Sequence, residues 1–76
     1  MSLQKHWRDL DRSTVGRAPD RWGVYELGDA DGTVVDAGFG VVRDELKDAL
    51  AYASADRVRW READSREDAE RLYEEL

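Results

Sequence analysis

Two β-rich runs, Gly23-Val24-Tyr25-Glu26-Leu27-Gly28 and Thr33-Val34-Val35-Asp36-Ala37-Gly38, flank the short segment Asp29-Ala30-Asp31-Gly32. Asp-Gly supplies the positive φ that a tight turn wants, so the pattern predicts an antiparallel hairpin. Beyond it, Val42, Leu46, Ala49, Leu50 and Ala53 fall at i, i+4, i+7, i+8 and i+11, with Arg43, Asp44, Glu45, Lys47 and Asp48 between them. That spacing predicts one amphipathic helix. Arg57-Val58-Arg59-Trp60-Arg61 alternates strictly, as a half-buried strand does. Ser65 with Asp68 three residues on caps a final helix, whose apolar stripe is Ala69, Leu72, Tyr73 and Leu76. The expected class is α+β, a small antiparallel three-stranded sheet with flanking helices in the order β-β-α-β-α.

Ahead of this unit, residues 1–18 form a leader, and the domain proper is expected over 19–76. Leu3, Trp7 and Leu10 recur at near-helical spacing, which suggests a short helix or a packed segment, broken by Ser13-Thr14-Val15-Gly16-Arg17-Ala18-Pro19. A chain of 76 residues has room for one core, and stability is marginal without help. Cysteine is absent, so that help is packing, salt or self-association rather than disulfides or thiolate zinc. The N-terminus lacks the apolar stretch of a signal peptide, and no run is long enough for a membrane span, which makes cytoplasmic the default expectation.

Eighteen acidic residues stand against 12 basic ones, for a net charge of −6, and Lys5 and Lys47 are the only lysines. Carboxylate-dense surfaces stay hydrated where salt screens their repulsion, so the composition points to a salt-loving cytoplasm. Residues 1–21 run the other way, with Lys5, Arg8, Arg12, Arg17 and Arg21 against Asp9, Asp11 and Asp20, a local +2 that leaves −8 on the rest. The leader is therefore the first place to look for an anion site.

The element order, with Gly23-Val24-Tyr25 in the first strand, Asp36-Ala37-Gly38 before the first long helix and Ser65-x-x-Asp68-Ala69-Glu70-Arg71-Leu72 opening the last one, resembles the GIY-YIG domain of homing endonucleases and excision-repair nucleases. The resemblance covers roughly residues 19–76. It implies phosphodiester hydrolysis in which tyrosine helps activate water, arginine stabilises phosphate charge and glutamate holds one divalent metal. Carried over position by position, it puts Tyr25 at the first tyrosine and Asp36 at the second. Glu45 falls at the arginine and Tyr73 at the metal-binding glutamate. An anion in place of the phosphate clamp reverses the electrostatic effect. Arg43 lies two residues off, on another side of a helix that turns ~100° per residue. Groups that act as a unit lose nearly all function when one is lost, so the expectation is a non-catalytic GIY-YIG-like binding or interaction module, not an enzyme, without cofactor or metal. The alternative within the resemblance is a divergent metal-dependent nuclease using Tyr25, Arg43 and Glu74.

Asp29-Ala30-Asp31-Gly32 has calcium-loop character, but its remaining ligands are out of register and a hairpin turn accounts for it. His6 has no second ligand at metal spacing. Arg57, Arg59 and Arg61 share one strand face, and with Arg43 they are the candidate nucleic-acid contacts. Against that role stand the net negative charge and the prospect of neutralisation by neighbouring carboxylates. The expected company is a second copy or a protein partner, with nucleic acid disfavoured by charge and no membrane involvement.

Overall fold

The computed structural model describes residues 3–76; Met1 and Ser2 of the leader lie outside the described residues. The described chain is an α+β domain of four strands and three helices: β1 (Arg8–Asp9), α1 (Arg12–Arg17), β2 (Trp22–Gly28), β3 (Val34–Val41), α2 (Val42–Tyr52), β4 (Arg57–Glu62) and α3 (Arg66–Glu74). All pairings are antiparallel and the sheet order is β1-β4-β2-β3. The expected α+β class holds, while the three-stranded sheet gains a short fourth strand and the flanking helices a third member.

The expected hairpin is β2–β3. Asp29 shapes its turn, with Oδ1 accepting the N–H groups of Asp31 at 2.9 Å and Thr33 at 3.0 Å. Gly32, at φ 83°, supplies the left-handed residue. This carboxylate serves the turn, and among the described residues no group of His, Cys, Asp and Glu is arranged to hold a metal ion.

Of the two expectations for the leader, a short helix or a packed segment, the stretch from Leu3 to Leu10 is a packed segment. Leu3, Trp7 and Leu10 pack in different places, so no single helical face carries them. Leu3 joins Val24 and Leu72 on one side of the sheet, whereas Leu10 packs against the Val15, Leu27, Leu46 and Val58 cluster on the other. Trp7 lies against Gly28, whose missing side chain leaves the space the indole fills. The helix forms later, over Arg12–Arg17, and runs into the stretch expected to break it. Asp11 caps it by accepting the Thr14 N–H at 2.8 Å, and it ends at Ala18, before Pro19, where the chain must turn extended.

Because β2 is central, its consecutive side chains feed opposite cores. Leu27 packs under α1 and α2 with Val15, Val42, Leu46, Ala49 and Val58, and Val24 packs beneath α3 with Leu72 and Leu3. In α2 the stripe is narrower than expected: Val42, Leu46 and Ala49 are buried, Leu50 is exposed, and Ala53 lies just past the helix as its cap. Ser65 caps α3 as expected, its hydroxyl accepting the Asp68 N–H at 3.1 Å. Leu46 is among the largest fully buried side chains. Leu46→Ala is expected to cost about 2–5 kcal/mol in urea denaturation, and Tyr52→Ala, at an exposed position, less than ~0.5 kcal/mol.

Candidate functional site

Tyr25 projects from the middle of β2 onto the α2 side of the sheet. Opposite it on β3 is Gly38, where an added Cβ would sit 2.5 Å from the Tyr25 hydroxyl oxygen. At Gly40 an added Cβ would sit 2.7 Å from Glu45 Cγ, and the φ of 157° there suits glycine. The two glycines thus clear the space in which Tyr25 and the first turn of α2 meet. Tyr25 O–H donates to Glu45 Oε1 across 3.4 Å.

These groups line a cavity of about 390 Å³ shared with Asp36, Asp48 and Tyr52. Burial pushes the Tyr25 phenol up from 10.0 to about 12, helped by the charges of Glu45 and Asp36, by the hydrogen bond to Glu45 and, least, by the Tyr73 phenol. Tyr25, Asp36 and Glu45 are therefore gathered into one place. Tyr73 does not line the cavity. It packs on Phe39, with ring centroids 5.4 Å apart and the planes tilted by 43°. Arg43 is elsewhere too, its Nε–H donating to the Ala18 carbonyl at 3.0 Å and holding the end of α1. Asp48 and Tyr52 were missed by the sequence reading, although Glu45, Asp48 and Tyr52 stand at i, i+3 and i+7 on one helix stripe.

The three strand arginines have three different surroundings. Arg59, half-buried, pairs with the buried Glu26, Nε to Oε1 at 2.9 Å, and its guanidinium lies 4.1 Å from the Trp7 ring centroid. It also donates to the Lys5 carbonyl at 3.3 Å. The centre of the arginine face is thus neutralised by a carboxylate from the neighbouring strand. Arg57 is half-buried and Arg61 is exposed. Glu26 went unremarked in the sequence, although it sits directly across from Arg59 in the β2–β4 register.

A two-faced antiparallel α+β domain with an anionic cavity beside Tyr25 is the class this geometry defines. The chain belongs to the family described as a domain of unknown function, DUF7508, whose model matches residues 1–76. No curated protein and no solved structure matches it.

A phenol whose pKa is raised on folding stabilises the folded state fully below the unfolded value and loses that contribution as pH climbs through the folded one. Stability is therefore expected to fall between pH 10 and about 12. A near-ultraviolet phenolate titration is expected to show a late component near 12 that vanishes in Tyr25→Phe and moves down in Glu45→Gln. At the Glu26–Arg59 pair, Glu26→Ala strands a largely covered guanidinium, with an expected cost of about 3–5 kcal/mol, whereas Glu26→Leu with Arg59→Met regains most of it in the same urea assay.

Proposed function

We propose that the domain is a non-catalytic, GIY-YIG-like binding or interaction module of a salt-loving cytoplasm. The hydrogen bond from Tyr25 to Glu45 carries this reading. Hydrolysis of a phosphodiester needs a cation where negative charge develops, and the carboxylate of Glu45 at that place, with Asp36 and Asp48 beside it, repels phosphate. A phenol held protonated up to about 12 and engaged as a donor cannot take a proton from water near neutral pH. The alternative using Arg43 loses support because that side chain ties down α1 instead of facing Tyr25. The salt-loving setting is supported by the exposed carboxylates of Asp44, Asp48, Glu67, Glu70 and Glu74, which keep a surface hydrated in concentrated salt.

The test is incubation with plasmid and branched DNA in molar KCl with Mg²⁺ or Mn²⁺. No cleavage is expected from the natural chain or from Glu45→Arg, since a single restored cation does not rebuild a set of cooperating groups. Metal-dependent cleavage that disappears in Tyr25→Phe sinks the reading.

A further inference from the structure

β4 has six residues, and β1 pairs only with Arg57 and Val58. Antiparallel strands alternate the direction of their main-chain groups residue by residue. Ala63 N–H bonds to the Trp22 carbonyl on the β2 side, and the Asp56 carbonyl accepts Leu10 N–H on the β1 side. The even-numbered residues of β4 therefore face outward, which turns the N–H and C=O groups of Trp60 and Glu62 to the uncovered part of the edge. Among the described residues no backbone group pairs with them there. A cavity of about 330 Å³ lies along this stretch, between Lys5, His6 and Arg8 on one side and Trp60, Arg61 and Glu62 on the other.

Its charge runs against that of the molecule. Acids outnumber bases 18 to 12 in the chain, yet among the described residues none of Lys5, Arg8 and Arg61 enters an ion pair, while Glu62 is taken by Arg21 at 3.5 Å. The free cations lie on both faces of the edge. Arg8 pairs with Val58 and stacks 4.9 Å over the Trp60 ring on the α2 side, and Arg61, one residue on, points to the other.

We infer that the uncovered half of the β4 edge docks an extended acidic peptide segment of a protein partner, added to the sheet as a strand that continues the line of β1. This rests on the reading of the domain as an interaction module. Main-chain bonds to Trp60 and Glu62 supply the affinity. Adjacent acidic side chains of the peptide point to opposite faces and so meet Arg8 on one and Arg61 with Lys5 on the other. A second copy is a poorer occupant, because pairing two such edges brings the same cations together.

The probe is a fluorescein-labelled peptide, acetyl-Thr-Asp-Glu-Val-Asp-Glu-Val-Thr-amide, titrated with the whole chain and followed by anisotropy. Trimethylamine oxide replaces salt where the fold needs support, since it favours burial without screening charge. Saturable binding is expected, weakened about tenfold or more by Arg61→Glu in a variant shown folded by circular dichroism. N-methylating alternate peptide residues leaves the protein untouched; one register is expected to abolish binding and the other to spare it. Absence of saturable binding, or equal loss from both methylation registers, overturns the proposal and leaves the cations as protection of a strand edge. So does a single-stranded oligonucleotide that displaces the peptide and binds more tightly, or a dimer in sedimentation that excludes the peptide. Gels of the oligonucleotide from the same mixtures report cleavage separately, so loss of the docking site and loss of the non-catalytic reading are told apart.

Discussion

The ion pair between Glu26 and Arg59 is the interaction on which the α3 side of the sheet depends. Helix α3 lies over β2 and β3, and the β4 side of that face is roofed by the leader instead of a helix. The leader has no regular structure between Leu3 and Trp7, so its hydrogen-bonding groups must find partners outside itself. The pair provides two. Glu26 Oε1 accepts Leu3 N–H at 2.9 Å, and Arg59 donates to the Lys5 carbonyl and lies under the Trp7 ring. A buried carboxylate and a half-buried guanidinium offset each other and, with their remaining hydrogen-bonding capacity, hold an irregular segment against a strand. Burial of such a pair is weak evidence for net stability, but its geometry fixes one arrangement of the leader among many.

Legibility of the sequence followed the range of the interactions. The β2–β3 hairpin, α2, β4 and α3 were readable because each is written in local periodicity or turn and cap chemistry. The leader was not, because Leu3, Trp7 and Leu10 are spaced like a helix but pack on different parts of the molecule. Their destinations are set by contacts far along the chain, such as Leu3 to Glu26 and Trp7 to Arg59. The short β1 was equally hidden, since Arg8-Asp9 carries no strand pattern and exists only because β4 offers an edge. For the cavity, Tyr25, Asp36 and Glu45 converge only in the fold, and Tyr73 sits on Phe39 through packing between α3 and β3 that no local pattern encodes.

Charge in this domain is sorted by edge as well as by sequence. The anionic cavity opens near β3, the strand at one end of the sheet, and Lys5, Arg8 and Arg61 gather at the other, where β1 leaves half of β4 uncovered. The two edges are also treated differently at the backbone. On β3 the Ala37 N–H is occupied by the Asp36 carboxylate at 2.8 Å, which removes a donor from an edge that also exposes Val34 and Val35. That is a device against unwanted strand pairing. On β4 beyond Val58, no side chain among the described residues plays that part for Trp60 or Glu62.

The glycines on which the family resemblance leans have local work of their own. A Cβ at Gly23 would stand 2.6 Å from the Arg61 carbonyl oxygen and 2.6 Å from Val42 Cγ2, so β2, β4 and α2 close together only around a bare backbone. Gly38 and Gly40 make the same allowance for Tyr25 and Glu45. Each glycine is required by the packing of this chain. A motif built of glycines and one tyrosine therefore measures how closely strand and helix approach. Chemistry has to be read from the charged side chains gathered there, and in this domain they are carboxylates around a protonated phenol.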